Sequence, residues 1–320
     1  MKFTNDKQIP LTLAVPLVFD EYDYIPNTIS ATALMKPLKQ VILSKRVTGI
    51  IQDLSDSTNP FLGKSVHAFI EKAWITNYKE SLNLLGYSDS FIERVVVNPK
   101  GELLPNAIPV YMEKRSSKVV KGVTVTGKFD FVFDGKVSDF KCTSVYTYIN
   151  GNKDEDYRLQ LSIYRWLNPT IITDDIGAID FIFKDWSAAR ELNSEGYPES
   201  SMIRKDFSLL STDQVQSYVE TKVSSLILLM DADEDKLPRC SDDELWRKPP
   251  IWKYYKNPNN RTRSTKNFTD KRDAYTRLHA DGNVGVVVEV LGSVTACKYC
   301  PAFSICKQKD EYLESGELEI

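Results

Sequence analysis

The residues whose types and spacing could do chemistry are concentrated in Val123–Lys141, which reads VTVTGKFDFVFDGKVSDFK. Asp130 lies on one apolar run, Asp139 and Lys141 on the next, and the Asp134-Gly135 dipeptide between them favours a tight hairpin turn. Residues two apart on a strand share a face, so Asp139 and Lys141 project together while Phe140 and Cys142 point the other way, into the core. The hairpin brings Asp130 near that acidic face. Two carboxylates at ~4 Å repel by roughly 4 kcal/mol at an effective dielectric of about 20, so a divalent cation is the natural third party. Oxygen donors suit magnesium or manganese, and a lysine beside such an ion can orient an attacking water or stabilise charge developing on a phosphate. The competing reading of these residues is an exposed hairpin with solvated charges.

Two helices are placed to complete such a site. Asn59 or Pro60 opens a helix predicted to run to about Leu85, with Val66, Ile70 and Trp74 as its apolar stripe. His67 lies one position off the stripe, with Gly63 and Glu71 four residues away on its own face. A lone helical histidine is most often structural or merely exposed. After Lys141 a polar loop over Thr143–Lys153 leads to a helix from about Glu155 to Leu167, stopped by Asn168-Pro169. Tyr157, Gln160, Leu161 and Tyr164 share one face of it, which by periodicity alone is a core-packing stripe.

GKFD…VSDFK, with Gly63-x-x-x-His67 before it and Tyr157-Arg-Leu-Gln-Leu-Ser-Ile-Tyr164 after it, resembles the PD-(D/E)XK nuclease superfamily, closest to its RecB-like exonuclease branch. That branch includes AddB-type, CRISPR-adaptation, phage and mitochondrial nucleases. The likeness covers Gly63 to Leu167 and resumes at the C-terminal cysteines. It implies an α/β fold with a restriction-endonuclease-like core, a central mixed sheet flanked by helices. It also implies that His67, Asp130 and Asp139 bind Mn2+ or Mg2+, the imidazole tilting the preference towards manganese. Lys141 would then position or activate the water, and Gln160, with Tyr164 a weaker candidate, would contact the DNA backbone or order metal-bound water.

Cys297-x(2)-Cys300-x(5)-Cys306 is a spacing at which thiolates hold a soft metal centre, an iron–sulfur cluster or zinc. The five cysteines, an odd number with three inside ten residues, fit metal ligation better than a secreted disulfide framework. The trio resembles the one that iron–sulfur RecB-like nucleases use for a [4Fe-4S] cluster, with zinc as the alternative. The family's fourth cysteine lies ahead of the nuclease motifs, but here no cysteine precedes Cys142, so the fourth ligand is Cys240 or Cys142. Cys142 is expected in the core, where free cysteines commonly sit, and Cys240, in a polar segment, is the one assigned.

The remaining chain is ordinary for a globular protein. Its 320 residues can bury a large core, and the net charge of −3 neither advertises nor excludes nucleic acid. Three segments are expected: an N-terminal extension and helix over 1–60, the nuclease core over 61–210, and a C-terminal helical region with the cysteines over 211–320. Residues 1–28 read as irregular because Pro10, Pro16 and Pro26 break helices, and Ser30 caps a helix over Ala31–Val47 interrupted near Pro37. Lys36, Lys39, Lys45 and Arg46 on it read as a solvated face. Strands are expected at Ile92–Val97, Ile108–Glu113, Ala178–Phe183 and Met202–Leu209, and capping boxes at Ser211 and Ser241 start a long and a short helix. Lys114, Arg115, Lys118, Lys121 and Lys128 make a basic sheet edge, while Glu113 is an auxiliary carboxylate or the polar face of its strand and stays outside the core site.

Arg247–Arg277 holds ten Lys or Arg against two Asp, interleaved with Trp252, Tyr254 and Tyr255, a pattern for tracking phosphates and stacking on bases unless the aromatics pack inward. The expected function is a metal-dependent exonuclease on single-stranded DNA or DNA ends, in recombination, repair or phage DNA processing. The alternatives are a non-catalytic DNA-binding or recombination-partner module and a sequence- or structure-specific endonuclease. No GxxxxGK[ST] motif is present, so unwinding would come from a helicase partner. No signal peptide or membrane span is evident, and the expected location is the cytoplasm, or the host cytoplasm for a phage-encoded chain.

Overall fold

The computed structural model describes residues 2–19 and 27–319. In chain order it begins with β1 (Lys2–Thr4), α1 (Leu11–Val18), β2 (Thr28–Ser30), α2 (Ala31–Leu34), α3 (Leu38–Ser44) and β3 (Ile51–Asp53). There follow α4 (Thr58–Thr76), α5 (Tyr78–Leu84), α6 (Asp89–Ile92), β4 (Val95–Val97), β5 (Ile108–Val120), β6 (Val123–Phe133) and β7 (Lys136–Thr143). Next come α7 (Val145–Asn150), α8 (Asp154–Leu167), β8 (Ile176–Phe183), α9 (Ala188–Glu191), β9 (Met202–Ser208) and α10 (Thr212–Leu229). The chain ends with β10 (Ile251–Tyr255), β11 (Lys266–Phe268), α11 (Lys271–Ala280), β12 (Val286–Val290) and α12 (Lys307–Glu314).

Two compact units result: Met1–Met35 with Gly49–Ser225, and Lys36–Thr48 with Leu226–Ile320. The units are therefore not consecutive segments, because α3 groups with the C-terminal part of the chain.

The first unit carries a seven-stranded mixed sheet in the order β4-β5-β6-β7-β8-β9, with β2 pairing beside β6. The β5–β6 and β6–β7 pairs are antiparallel hairpins, whereas β7 and β8 run parallel and are joined through α7 and α8. Such a crossover needs a helix-length connection. Both hairpins turn on two residues with positive φ, Lys121-Gly122 (+48° and +82°) and Asp134-Gly135 (+47° and +86°). This is the type I′ pattern, whose twist matches that of the flanking strands. The turns set the register, pairing Val120 with Val123 and Phe133 with Lys136. Leu82, Ile92, Val95, Ile108, Val110, Met112 and Phe131 form one core cluster, completed by half-buried Trp74, Tyr78 and Phe140. The helix α8 buries Leu161, Ile163 and Trp166 and packs against β6, β7 and β8.

Several sequence expectations are corrected. An eight-residue helix, α1, forms over Leu11–Val18 with Pro16 inside it. Pro16 is the sixth of its eight residues, so it removes the bond to Thr12 O and crowds that carbonyl, and α1 ends two residues later at Val18. Pro26 lies outside the described residues. Pro37 splits the Ala31–Val47 helix into α2 and α3, and the helix opened at Thr58 is interrupted at Asn77, whose φ of −147° is not helical. Ile92 ends α6, so the strand there is only Val95–Val97, and β5 runs on to Val120 instead of stopping at Glu113. Part of the loop after Lys141 is the helix α7. The Ser211 capping box closes reciprocally with Gln214 at 2.9 and 3.2 Å, and Ser241 makes the same exchange with Glu244, but there it holds a turn instead of a helix.

The second unit contains a three-stranded antiparallel sheet in the order β11-β10-β12 with α11 packed on it. Among the described residues no helix is long and apolar enough to cross a membrane.

Candidate metal centre

Three carboxylates form a row across the middle of the first unit's sheet. The β5–β6 register puts Glu113 opposite Asp130, between the pairs Met112–Phe131 and Lys114–Phe129. One step beyond the last β6–β7 pair, Phe131 with Ser138, come Asp130 and Asp139. Like charges directly opposite on neighbouring strands destabilise a sheet, so the row needs positive charge. The ladder breaks at Glu113, whose φ is +50°, a left-handed conformation that a non-glycine residue adopts at a cost.

The helix α4, which packs on β7, delivers His67 to this row. Its Nδ1 lies 3.6 Å from Asp130 Oδ1 and 3.8 Å from Glu113 Oε1. Its Nε2 lies 3.2 Å from the Phe140 carbonyl oxygen, which can only accept, so Nε2 carries the proton and Nδ1 is the atom turned towards the carboxylates. One donor atom each from His67, Glu113 and Asp130 falls within 4.8 Å of the other two. Asp130 Oδ2 accepts the Phe140 N–H at 2.9 Å, and Glu113 is ion-paired with Lys128.

Asp139 stands beside this trio and is bound differently. Only 2 % of it is exposed; its Oδ2 is 2.6 Å from Lys141 Nζ, and its Oδ1 accepts from Gln160 Nε2 at 2.9 Å. Gln160 also donates to the Tyr164 hydroxyl at 2.8 Å. Lys141 lies over the Tyr157 ring, 5.7 Å from its centroid. Despite the ion pair, Asp139 Oδ2 is buried without a well-aligned hydrogen bond. The helix α8 reaches the row closely because Gly127 on β6 has no Cβ: one built there would stand 2.5 Å from Leu167 Cδ1 and 3.3 Å from the Tyr164 ring.

The electrostatics follow from this crowding. Burial would lower the His67 pKa, but the facing Glu113 carboxylate and the charges of Asp130 and Asp139 outweigh it and raise it. Burial, then the Asp139 charge, push Asp130 up to about 8, against the pull of His67, the Phe140 N–H and Lys141. Burial pushes Glu113 up, but His67 and Lys128 leave it below its ordinary value. Burial disfavours the Lys141 ammonium, yet Asp139 more than compensates, so Lys141 stays protonated. Burial, then Asp139, hold the Tyr164 phenol protonated well past its usual range. Protons on His67 and Asp130 thus offset charge that a divalent cation would offset better. The His, carboxylate and buried Asp139 oxygen set suits such an ion.

Sequence reasoning named His67, Asp130, Asp139, Lys141, Gln160 and Tyr164, and the structure brings all six together with Glu113. Glu113, set aside from the sequence, is one of the compact donor trio, whereas Asp139 faces Lys141 and Gln160. Gln160, 5 % exposed, bonds Asp139 directly, and Tyr164, 4 % exposed, bonds Gln160, so both are shielded from solvent.

In the second unit Cys240, Cys297, Cys300 and Cys306 occupy one neighbourhood. Gln308 on α12 clamps the Cys240 peptide, its Oε1 accepting from Cys240 N at 3.0 Å and its Nε2 donating to Cys240 O at 3.1 Å. Cys240 and Cys297 border a core of Leu245, Val294, Tyr312 and Leu318. Burial, and then the neighbouring Glu244 and thiols, push Cys240 up to about 12; burial and Cys300 push Cys297 up to about 11. Backbone N–H groups of Ala302, Gln308 and Lys309 address the Cys300 and Cys306 sulfurs. Among the described residues these sulfurs do not form a donor group as tight as the His67 trio. Cys142 lies on β7 in the first unit.

No protein-family model and no curated protein sequence matches the chain. Among solved structures, one titled "Crystal structure of SSO0001" is similar at 17 % identity and a TM-score of 0.41, over 68 % of this chain and 87 % of that one. A likeness at that level carries no further argument.

Proposed function

We propose that this chain is a metal-dependent deoxyribonuclease of the PD-(D/E)XK type, acting on single-stranded DNA or DNA ends. The observation that carries the reading is the convergence of His67, Glu113 and Asp130 donors within 4.8 Å, flanked by the Asp139–Lys141 pair. These three residues, with Asp139 adjacent, would hold Mn2+ or Mg2+. When bound, such an ion polarises a phosphoryl oxygen and acidifies water. Lys141, kept as an ammonium by Asp139, supplies fixed positive charge for the negative charge that develops on the phosphate and orients the attacking water. Gln160 keeps Asp139 turned towards Lys141. His67 Nδ1 must lose its proton to act as a ligand, and its Nε2–H bond to Phe140 O keeps the ring oriented while it does.

The four C-terminal cysteines would hold a structural [4Fe-4S] cluster or zinc, supported by the donor chemistry and by the amides aimed at Cys300 and Cys306. The test is degradation of end-labelled linear and of closed circular DNA with Mn2+, Mg2+ and EDTA. The proposal expects metal-dependent loss of linear DNA, abolished by Asp139→Ala with DNA binding retained. Retention of cleavage in Asp139→Ala, or no cleavage with any divalent ion, overturns it.

A further inference from the structure

The surface that the candidate metal centre leaves unexplained is the ten-residue loop between β10 and β11 in the second unit. From Arg247 to Thr269 the chain has seven Lys or Arg and no acidic residue, inside a protein whose net charge is −3. Arg247 is committed to Asp242 and Glu317. Among the described residues, Lys256, Arg261, Arg263 and Lys266 are exposed and none is ion-paired with a carboxylate. The loop is held in one shape: Thr265 N donates to Tyr254 O at 2.8 Å, Lys256 N to Thr265 Oγ1 at 3.0 Å, and Arg261 Nε to Pro258 O at 3.1 Å. Its base is pinned where the Tyr254 hydroxyl donates to Asp281 at 2.8 Å. Lys256, Asn257, Asn260, Thr262, Arg263 and Thr265 line a concave polar surface of about 370 Å³.

The aromatic residues decide what such a surface can grip. Tyr254 and Tyr255 are 0 % and 8 % exposed, and no aromatic residue lies between Tyr255 and Phe268. A surface for unpaired bases combines cationic groups with exposed rings, whereas this one offers cations and amide or hydroxyl donors alone. It fits the sugar–phosphate backbone of a duplex, which presents one charge per ~1.7 Å of axis.

We infer that the β10–β11 loop is a sequence-independent grip on the phosphate backbone of duplex DNA. It would hold the double-stranded part of a substrate whose free strand is cleaved elsewhere, and in that respect it rests on the nuclease reading. The test is fluorescence anisotropy of a labelled short duplex and of its single strand in EDTA, across a salt series, for the full chain and a Lys256→Ala, Arg261→Ala, Arg263→Ala triple variant. All three side chains are exposed and the Arg261–Pro258 bond lies within the loop, so the melting temperature, measured alongside, is expected to move little. The variant is expected to bind duplex about tenfold or more weakly near 0.15 M salt, with a salt slope shallower by about 3, while Arg261→Lys with Arg263→Lys retains binding.

Equal duplex binding by the variant, a loss confined to the single strand, or no duplex binding by the full chain each overturns the inference. Cleavage is scored separately in Mn2+. A full chain that cuts DNA while the variant binds duplex normally removes the grip and leaves the nuclease. A loop-dependent duplex binder that cuts with no divalent ion does the reverse.

Discussion

Glu113 faces Asp130 across the β5–β6 hairpin and takes a φ of +50° to do so, in the middle of a thirteen-residue strand. Two opposed carboxylates and a left-handed backbone are both unfavourable, and both are met at the position that completes the His67 trio. Glu113→Ala is expected to weaken Mn2+ binding about 10–100-fold by titration calorimetry. Glu113→Gly should lose the same affinity, yet the metal-free protein should be about 1 kcal/mol more stable than Glu113→Ala, because glycine adopts that φ freely. Identical denaturation midpoints for the two variants would remove the strain argument.

The protons on Asp130 and His67 make stability and metal binding respond to pH in opposite directions. Asp130 moves from 3.8 to about 8 in the folded state, so between those values the folded protein holds a proton that the unfolded chain has released. Stability of the metal-free protein contributed by Asp130 is present at low pH and is lost as pH rises towards 8. The raised His67 pKa acts with the same sign, above its ordinary value. Melting curves in EDTA should fall from pH 5.5 to 8 more steeply for wild type than for Asp130→Asn (an expected span of about 2–3 units). Apparent Mn2+ affinity should rise over the same interval, up to about tenfold per pH unit for each proton displaced, and flatten above it.

On the proposed nuclease reading Gln160 would act as a positioning residue, because it holds Asp139 at 2.9 Å while itself 5 % exposed. Gln160→Leu leaves a buried carboxylate oxygen and the Tyr164 hydroxyl short of a partner, at a cost of about 1–3 kcal/mol. Turnover should fall with KM for DNA unchanged. A rise in KM at constant kcat would instead mean that Gln160 touches the strand.

Much of the site was legible because Asp134-Gly135 is a turn dipeptide, and counting outward from it pairs Asp130 with Asp139. Glu113 escaped because its position depends on the other turn, Lys121-Gly122. Counting seven steps out from Val120–Val123 reaches Glu113 opposite Asp130. The lysine-rich stretch between them reads as surface charge, which hides a strand that continues to Val120. The segment containing Trp252 and Tyr254 alternated as strands do, but sequence alone did not say which face would be covered, and α11 covers the side of Tyr254. The grouping of α3 with the C-terminal unit had no local signal, since long-range packing leaves no mark on neighbouring residues.

The cysteines give a colour test. Protein purified without oxygen is expected to be brown with bound iron in wild type and in Cys142→Ser, and to lose both in Cys240→Ser and Cys306→Ser. Colourless protein with stoichiometric zinc would reassign the centre, and loss of metal in Cys142→Ser with retention in Cys240→Ser would exchange their roles.

Because Lys36–Thr48 belongs with Leu226–Ile320, one piece of the second unit is synthesised before most of the first. Val41, Ile42 and Leu43, 8 %, 0 % and 2 % exposed in the finished protein, leave the ribosome long before the residues that shelter them. A prematurely terminated product would leave that apolar segment uncovered, open to chaperones and proteases.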